Sequence, residues 1–237
     1  ALPVTVWRHG VGIDFAPSAV DRASLTMDFN NGDFHVGHLA STTMQRKGTR
    51  ELVRAWCRAV KDSAFLGAHH PLLTLVVDGP HDAFAKDVAE IADGNKRVAG
   101  SVIWTRHRWN MDPVQAAHWY RKHHVIAQPS RGEGFGMVPL EALACGVPVL
   151  MTMCTGHSEY QDRLDGIFRV LTGELAPIDD GPGAMAPILR EDDVYATLAN
   201  AYKYWKQAAE EAAVDAARVQ KNWNWTEVTR QWLEERS

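Results

Sequence analysis

No stretch of this sequence is apolar for long enough to span a bilayer, and no secretory signal is expected at its start. Excess positive charge is missing too. The 25 Lys and Arg against 29 Asp and Glu leave a net charge of −4, without the basic footprint that general nucleic-acid binding requires. Nucleic acid is therefore not an expected partner. Cysteine is scarce: Cys57, Cys145 and Cys154 are odd in number and lack metal-ligand spacing, which argues against a disulfide framework and for reduced thiols in the cytoplasm. No Asp-x-Asp pair closes a strand. The eleven histidines do not repair the lack of a metal motif. His69-His70 and His123-His124 are adjacent, so their side chains do not converge, and His35 and His38 lie three apart on a predicted strand and face opposite sides. Neither a metal nor a cofactor is expected.

What is present suffices for a core. With 46% apolar residues in 237, the chain can build one large domain or two small ones. Nine tryptophans are many for this length, and Trp205, Trp223, Trp225 and Trp232 fall in a helical C-terminal region, where core packing is the expected role.

The most informative stretch is 131–160, RGEGFGMVPLEALACGVPVLMTMCTGHSEY. A loop broken by Gly132, Gly134 and Gly136 leads into a short helix, with Pro139 near its start and Gly146 just past its end. Residues 147–153 then read as a buried strand. A loop that frees backbone N–H groups at a helix start, at the positive end of its dipole, is suited to an anion. Glu133 and Glu141 frame that start, eight positions apart. For Glu141, placed in the first helical turn, two readings stand: a carboxylate complementing the helix dipole, or a ligand contact. Glu133 gains nothing as a cap. Two acids around an anion site suit a ligand with phosphates in the middle and hydroxyls at both ends.

Strands and helices alternate along the rest of the chain. Strands are predicted at 2–8, 34–40, 72–77, 97–104, 125–128 and 166–171, and helices at 49–62, 82–92, 114–122, 191–220 and 224–235. Residues 18–31 read as a polar linker and 172–186 as a loop. The alternation implies an α/β, doubly wound parallel sheet of Rossmann type, with ligand at the carboxyl ends of the strands.

The run PSRGEGFGMVPLEALACGVPVL resembles the donor-site motif of retaining glycosyltransferases of the GT-B fold. The resemblance covers almost the whole chain, 1–237, as the C-terminal, donor-binding half of such an enzyme, without the acceptor-binding half. It implies transfer of a sugar from a nucleotide diphosphate sugar to an acceptor, with retention at the anomeric carbon and without a metal. Glu133 would contact the transferred sugar, the backbone of Gly134, Phe135, Gly136, Met137 and Val138 would meet sugar and phosphate, and Glu141 would hold the ribose. Lys47 would clamp the diphosphate. The family's arginine position is occupied by His38, and the adjacent Arg46 is a second candidate for that charge. Gly12 in the turn HGVGID, Asp78 and Gly79 in VDGP, and Arg106 beside the expected nucleobase complete the implied donor site. On local evidence alone, Arg46 and Lys47 read equally as a solvated loop pair. Alternatives within reach of the same residues are a nucleotide-sugar binding module inactive by itself, an epimerase or phosphorylase on the same fold, and a phage-type DNA-modifying transferase. Neither base, sugar nor acceptor is legible.

Overall fold

The computed structural model describes residues 9–40, 44–65, 68–77, 82–105, 111–178 and 183–234. Six strands form one parallel sheet: β1 (Asp33–Ala40), β2 (His70–Val77), β3 (Val102–Thr105), β4 (Val125–Gln128), β5 (Val149–Thr152) and β6 (Ile167–Val170). Their spatial order is β3-β2-β1-β4-β5-β6, so the winding reverses between β1 and β4. The α/β, doubly wound expectation holds. The predicted strand at 2–8 lies outside the described residues.

The helices are α1 (Ala19–Asn30), α2 (Met44–Lys47), α3 (Thr49–Lys61), α4 (Asp82–Ala92), α5 (Lys96–Ala99), α6 (Pro113–Tyr120), α7 (Met137–Ala144), α8 (Glu191–Lys203), α9 (Trp205–Asn222) and α10 (Trp225–Glu234). A small antiparallel pair, β7 (Leu175–Pro177) and β8 (Met185–Pro187), stands apart from the sheet. The core divides as the pleat dictates, because successive strand residues point to opposite faces. Val125, Ala127 and Leu150 join one apolar cluster, with Trp56 of α3 and Leu198 of α8. Ile126, Val149 and Met151 join the other, with Leu140 of α7 and Ala212 of α9. Both faces are covered, which is why these strands read as continuous apolar runs.

Three predicted spans change type, and the helix predicted at 191–220 divides at Tyr204 into α8 and α9. The linker at 18–31 is helix α1, opened by the Ser18 hydroxyl, which accepts from the Asp21 amide at 3.2 Å. The start of the predicted strand 97–104 is instead α5, because Asn95 caps the amides of Arg97 and Val98. The loop at 172–186 contains β7 and β8. Among the tryptophans, Trp205 and Trp223 are buried as expected, whereas Trp225 is 49% exposed.

Candidate functional site

Where strand order reverses, the loops leaving neighbouring strands diverge and open a crevice at their carboxyl ends. Here that crevice lies between β1 and β4, and the loops beyond them carry Lys47 and Glu133. Gly48, between α2 and α3, holds φ 64°, and a Cβ built on it would stand 2.2 Å from the Pro129 carbonyl oxygen. Only a glycine lets the Lys47 turn close this tightly on the glutamate loop, where the Arg131 amide also donates to the Arg46 carbonyl at 2.7 Å. Gly48→Ala is expected to lower stability by on the order of 1–3 kcal/mol, read as a lower urea midpoint at unchanged slope.

The glutamate loop is buttressed from the other side by a 3₁₀ turn, Thr155–Glu159, after β5. The Glu133 amide donates to Thr155 Oγ1 at 2.8 Å and the Gly156 amide to the Glu133 carbonyl at 3.0 Å. Thr155 itself holds φ 48°, uncommon for a β-branched residue and the kind of strain that gathers at functional sites. Gly136 starts α7 at φ 86°, with the His157 ring filling the space where a Cβ would be, 2.2 Å from Cδ2. Tyr160 donates its hydroxyl to the Gly136 carbonyl at 2.6 Å. His157 Nδ1–H donates to the Thr152 carbonyl at 2.9 Å, and its buried Nε2 has no partner among the described residues. The far end of α7 is closed by Gly146 at φ 74°, with Val147 N–H to Ala142 O at 3.0 Å and Gly146 N–H to Leu143 O at 2.9 Å, a Schellman motif. Helix geometry leaves the amides of Met137 and Val138 without an intrahelical acceptor, and Pro139 has none to offer.

Glu133 is at the centre of this arrangement. Its Oε1 accepts from Lys47 Nζ at 2.6 Å and from Ser130 Oγ at 2.6 Å, and Arg46 Nη1 lies 3.4 Å from Oε2 while also donating to the Gly132 carbonyl at 2.5 Å. Burial raises its carboxyl pKa, but the charge and hydrogen bond of Lys47, helped by Ser130 and Arg46, outweigh that and leave it below the ordinary value. The lysine and the glutamate assigned to different ends of a ligand are therefore in direct contact.

Glu141 is not in the first turn of α7, which contains no acid. It lies a turn further on, on the face of Met137 and Val138, and its Oε2 accepts from the Tyr120 hydroxyl at 2.7 Å. Desolvation pushes its carboxyl up to about 7, against the opposing pull of Tyr120. The dipole-cap reading of Glu141 thus gives way to a half-buried carboxyl with a phenol partner. His38 is not brought to the site. It is fully buried in β1, its Nδ1–H donates to the Ala127 carbonyl at 2.7 Å, and its Nε2 pairs with Thr49 Oγ1 at 2.9 Å. Burial lowers its pKa to about 4, so it is neutral and has no donor left for a phosphate. Gly12 is not among the residues that line the pocket, and a Cβ built on it would meet the Phe15 ring at 3.7 Å. Asp78, Gly79 and Arg106 lie outside the described residues.

The open pocket, about 260 Å³, is lined by Lys47, Glu133, Phe135, Gly136, the first residues of α7, and His9. Two other hollows, of about 30 and 280 Å³, border His123 and Pro148 in one case and His70 and Ser101 in the other. Both lie at the amino ends of strands, opposite the edge where such sheets bind ligands. The sequence reading missed His9, Ser130, Thr155, His157 and Tyr160. None was assigned a role, although His9 opens the HGVGID turn, Ser130 stands three residues before Glu133, and Thr155, His157 and Tyr160 close the 131–160 stretch. Among the described residues no group of three His, Cys, Asp or Glu could hold a metal ion, and no helix is long and apolar enough to cross a membrane.

A family model described as glycosyl transferases group 1 matches residues 33–191. The lipopolysaccharide core biosynthesis mannosyltransferase LpsB of Rhizobium meliloti is 33% identical over 114 residues, 44% of this chain and 31% of LpsB. Anabaena HepE, solved in complex with UDP and glucose, superposes with a TM-score of 0.66 at 18% identity, over 98% of this chain and 56% of HepE. The C-terminal domain of LpcC, a glycosyl transferase group 1 family protein of Francisella tularensis, superposes at 0.56 with 19% identity, over 90% of this chain and 97% of that domain. At these identities the structures show a shared fold. The chain spans about a third of the length of the curated relatives it matches.

Proposed function

The chain belongs to the group 1 glycosyl transferases, and from that membership we propose that it is the donor-binding half of a retaining, metal-independent enzyme that uses a nucleotide diphosphate sugar. The observation that carries this reading is the pocket at the reversal of strand order, where Lys47, Glu133 and the start of α7 converge. The diphosphate lies against the amides of Met137 and Val138 and the positive end of α7. Glu133 faces the sugar, and Glu141 takes the ribose hydroxyls. The match of 90% of this chain to one isolated C-terminal domain supports placing the acceptor site on a preceding half or partner chain. Three free cysteines support a cytoplasmic location.

In the transfer step the bond from the anomeric carbon to the β-phosphate oxygen breaks with its electron pair on the phosphate. The acceptor hydroxyl oxygen bonds to the same face of that carbon, and its proton passes to the departing phosphate oxygen. The site's task is to stabilise the charge growing on that phosphate, which the oriented amides of α7 do without reorganising, while Lys47 adds its charge from its pairing with Glu133. Glu133, held as a carboxylate by Lys47, Arg46 and Ser130, orients sugar hydroxyls rather than donating a proton.

The test is calorimetry of this chain with UDP, GDP and ADP in EDTA. At least one is expected to bind with unchanged affinity when the chelator is replaced by Mg²⁺. Binding that appears only with the metal overturns the metal-independent reading, and no binding of any of the three overturns the donor site.

A further inference from the structure

Lys47 is engaged by Glu133, and their opposite charges largely cancel. Arg46 directs Nη1 to the Gly132 carbonyl and to Glu133. His38 is neutral and enclosed. A diphosphate carries two to three negative charges, and beyond the α7 dipole the pocket has one other basic side chain among its described lining residues: His9. Its exposed ring has no hydrogen bond or ion pair among the described residues, although it is held in place from behind. The next residues are pinned to the turn between α9 and α10: the Val11 amide donates to the Trp223 carbonyl at 2.6 Å, and Val11 forms a parallel bridge with Asn224. The imidazole stands between two rings, 5.5 Å from Phe135 and 6.0 Å from Trp225 between centroids. Phe135 belongs to the glutamate loop and lines the same pocket. A donor ring held against that loop, in the pocket that Lys47 also lines, is pre-organised, so little ordering cost opposes a bond to a ligand.

Resting on the donor-site reading above, we propose that His9 is a further donor-contacting residue, which gives the diphosphate the second side-chain hydrogen bond that His38 cannot. It also separates ligand recognition into two arms: Lys47 and the α7 amides on one side of the phosphates, the imidazole N–H on the other.

The test compares His9→Phe, which keeps a ring between Phe135 and Trp225 but removes both nitrogens, with His9→Asn, which restores a short donor. Each variant and the wild type is titrated with UDP, GDP and ADP and with the matching nucleosides, and its melting temperature is recorded. For the diphosphate that the wild type binds, His9→Phe is expected to weaken affinity by roughly ten- to a hundredfold, with the nucleoside affinity unmoved and His9→Asn recovering most of the loss. A His9→Phe protein that keeps wild-type diphosphate affinity overturns the proposal. So does an equal loss for nucleoside and diphosphate, or a lowered melting temperature shared by both variants without rescue by Asn, since these mark a packing role. Wild-type protein that binds none of the three diphosphates overturns the donor-site reading and this inference with it.

Discussion

Lys47→Ala and Glu133→Gln should move nucleoside diphosphate affinity in opposite directions, because in the free protein each side chain neutralises the other across 2.6 Å. Removing Lys47 deletes a charge-assisted contact to the phosphates and leaves a carboxylate only 10% exposed facing the incoming anion. The expected loss is about a hundredfold in affinity, alike for the diphosphate and its sugar conjugate. Stability should fall by about 2–4 kcal/mol, moderated by Ser130 and Arg46, which still hold Glu133. The sign with pH follows from the depressed Glu133 carboxyl. Its stabilisation is present above the ordinary carboxylate range and is lost as pH falls through the folded value, so the difference between wild type and Lys47→Ala should narrow in acid. Glu133→Gln releases Lys47 to the phosphates. Diphosphate affinity should rise several-fold, while the extra affinity for the sugar conjugate, and transfer by the complete enzyme, should disappear. Paired titrations of both ligands decide this. Glu133→Gln weakening both ligands equally would show that the carboxylate does not read the sugar.

This coupling could not be seen in the sequence, where the two residues are 86 positions apart and carry separate expectations. What could be read was local. The glycine loop, the helix behind it and its Gly146 stop are specified by neighbours in the chain, and the structure reproduces them. The alternation that gave the parallel sheet is likewise a property of each short segment. Helix α1 was illegible because its apolar residues do not fall on one face: Leu25 is buried, while Val20 and Met27 are 79% and 60% exposed. His38 was assigned by its place in a motif, and only the position of β1 between β2 and β4 shows that its ring is enclosed by the strand beside it and by Thr49. The role of His9 depends on the chain's first described residues meeting the start of its last helix, a contact that spans more than two hundred positions.

Glu141→Gln should stabilise the free protein and weaken its nucleotide binding. The wild-type carboxyl is pushed up to about 7 from an ordinary 4.5 by desolvation, so the folded state holds a proton that the unfolded chain releases. Between those values the folded form binds more protons than the unfolded, and stability falls as pH rises, by an order of 3 kcal/mol once both have ionised. Glutamine removes the ionisation and keeps an acceptor for the Tyr120 hydroxyl. Its melting temperature should exceed wild type at pH 8, by the equivalent of about 1–3 kcal/mol, and match it near pH 4. Binding shows the reverse. If the ionised carboxylate accepts the ribose hydroxyls, the wild type should outbind Glu141→Gln by roughly ten- to a hundredfold at pH 8, and this ratio should shrink below pH 7 as the carboxyl protonates. Taking the ratio cancels the titration of the phosphates themselves. Melting curves and calorimetry at pH 4, 6 and 8 test both halves. A ratio that stays constant with pH would remove Glu141 from the ribose site, and a glutamine variant less stable at pH 8 would show that the carboxylate is not strained by its burial. A positive result on both would identify Glu141 as a residue retained for its ligand at the expense of the fold, which neither a dipole partner nor a packing residue can mimic.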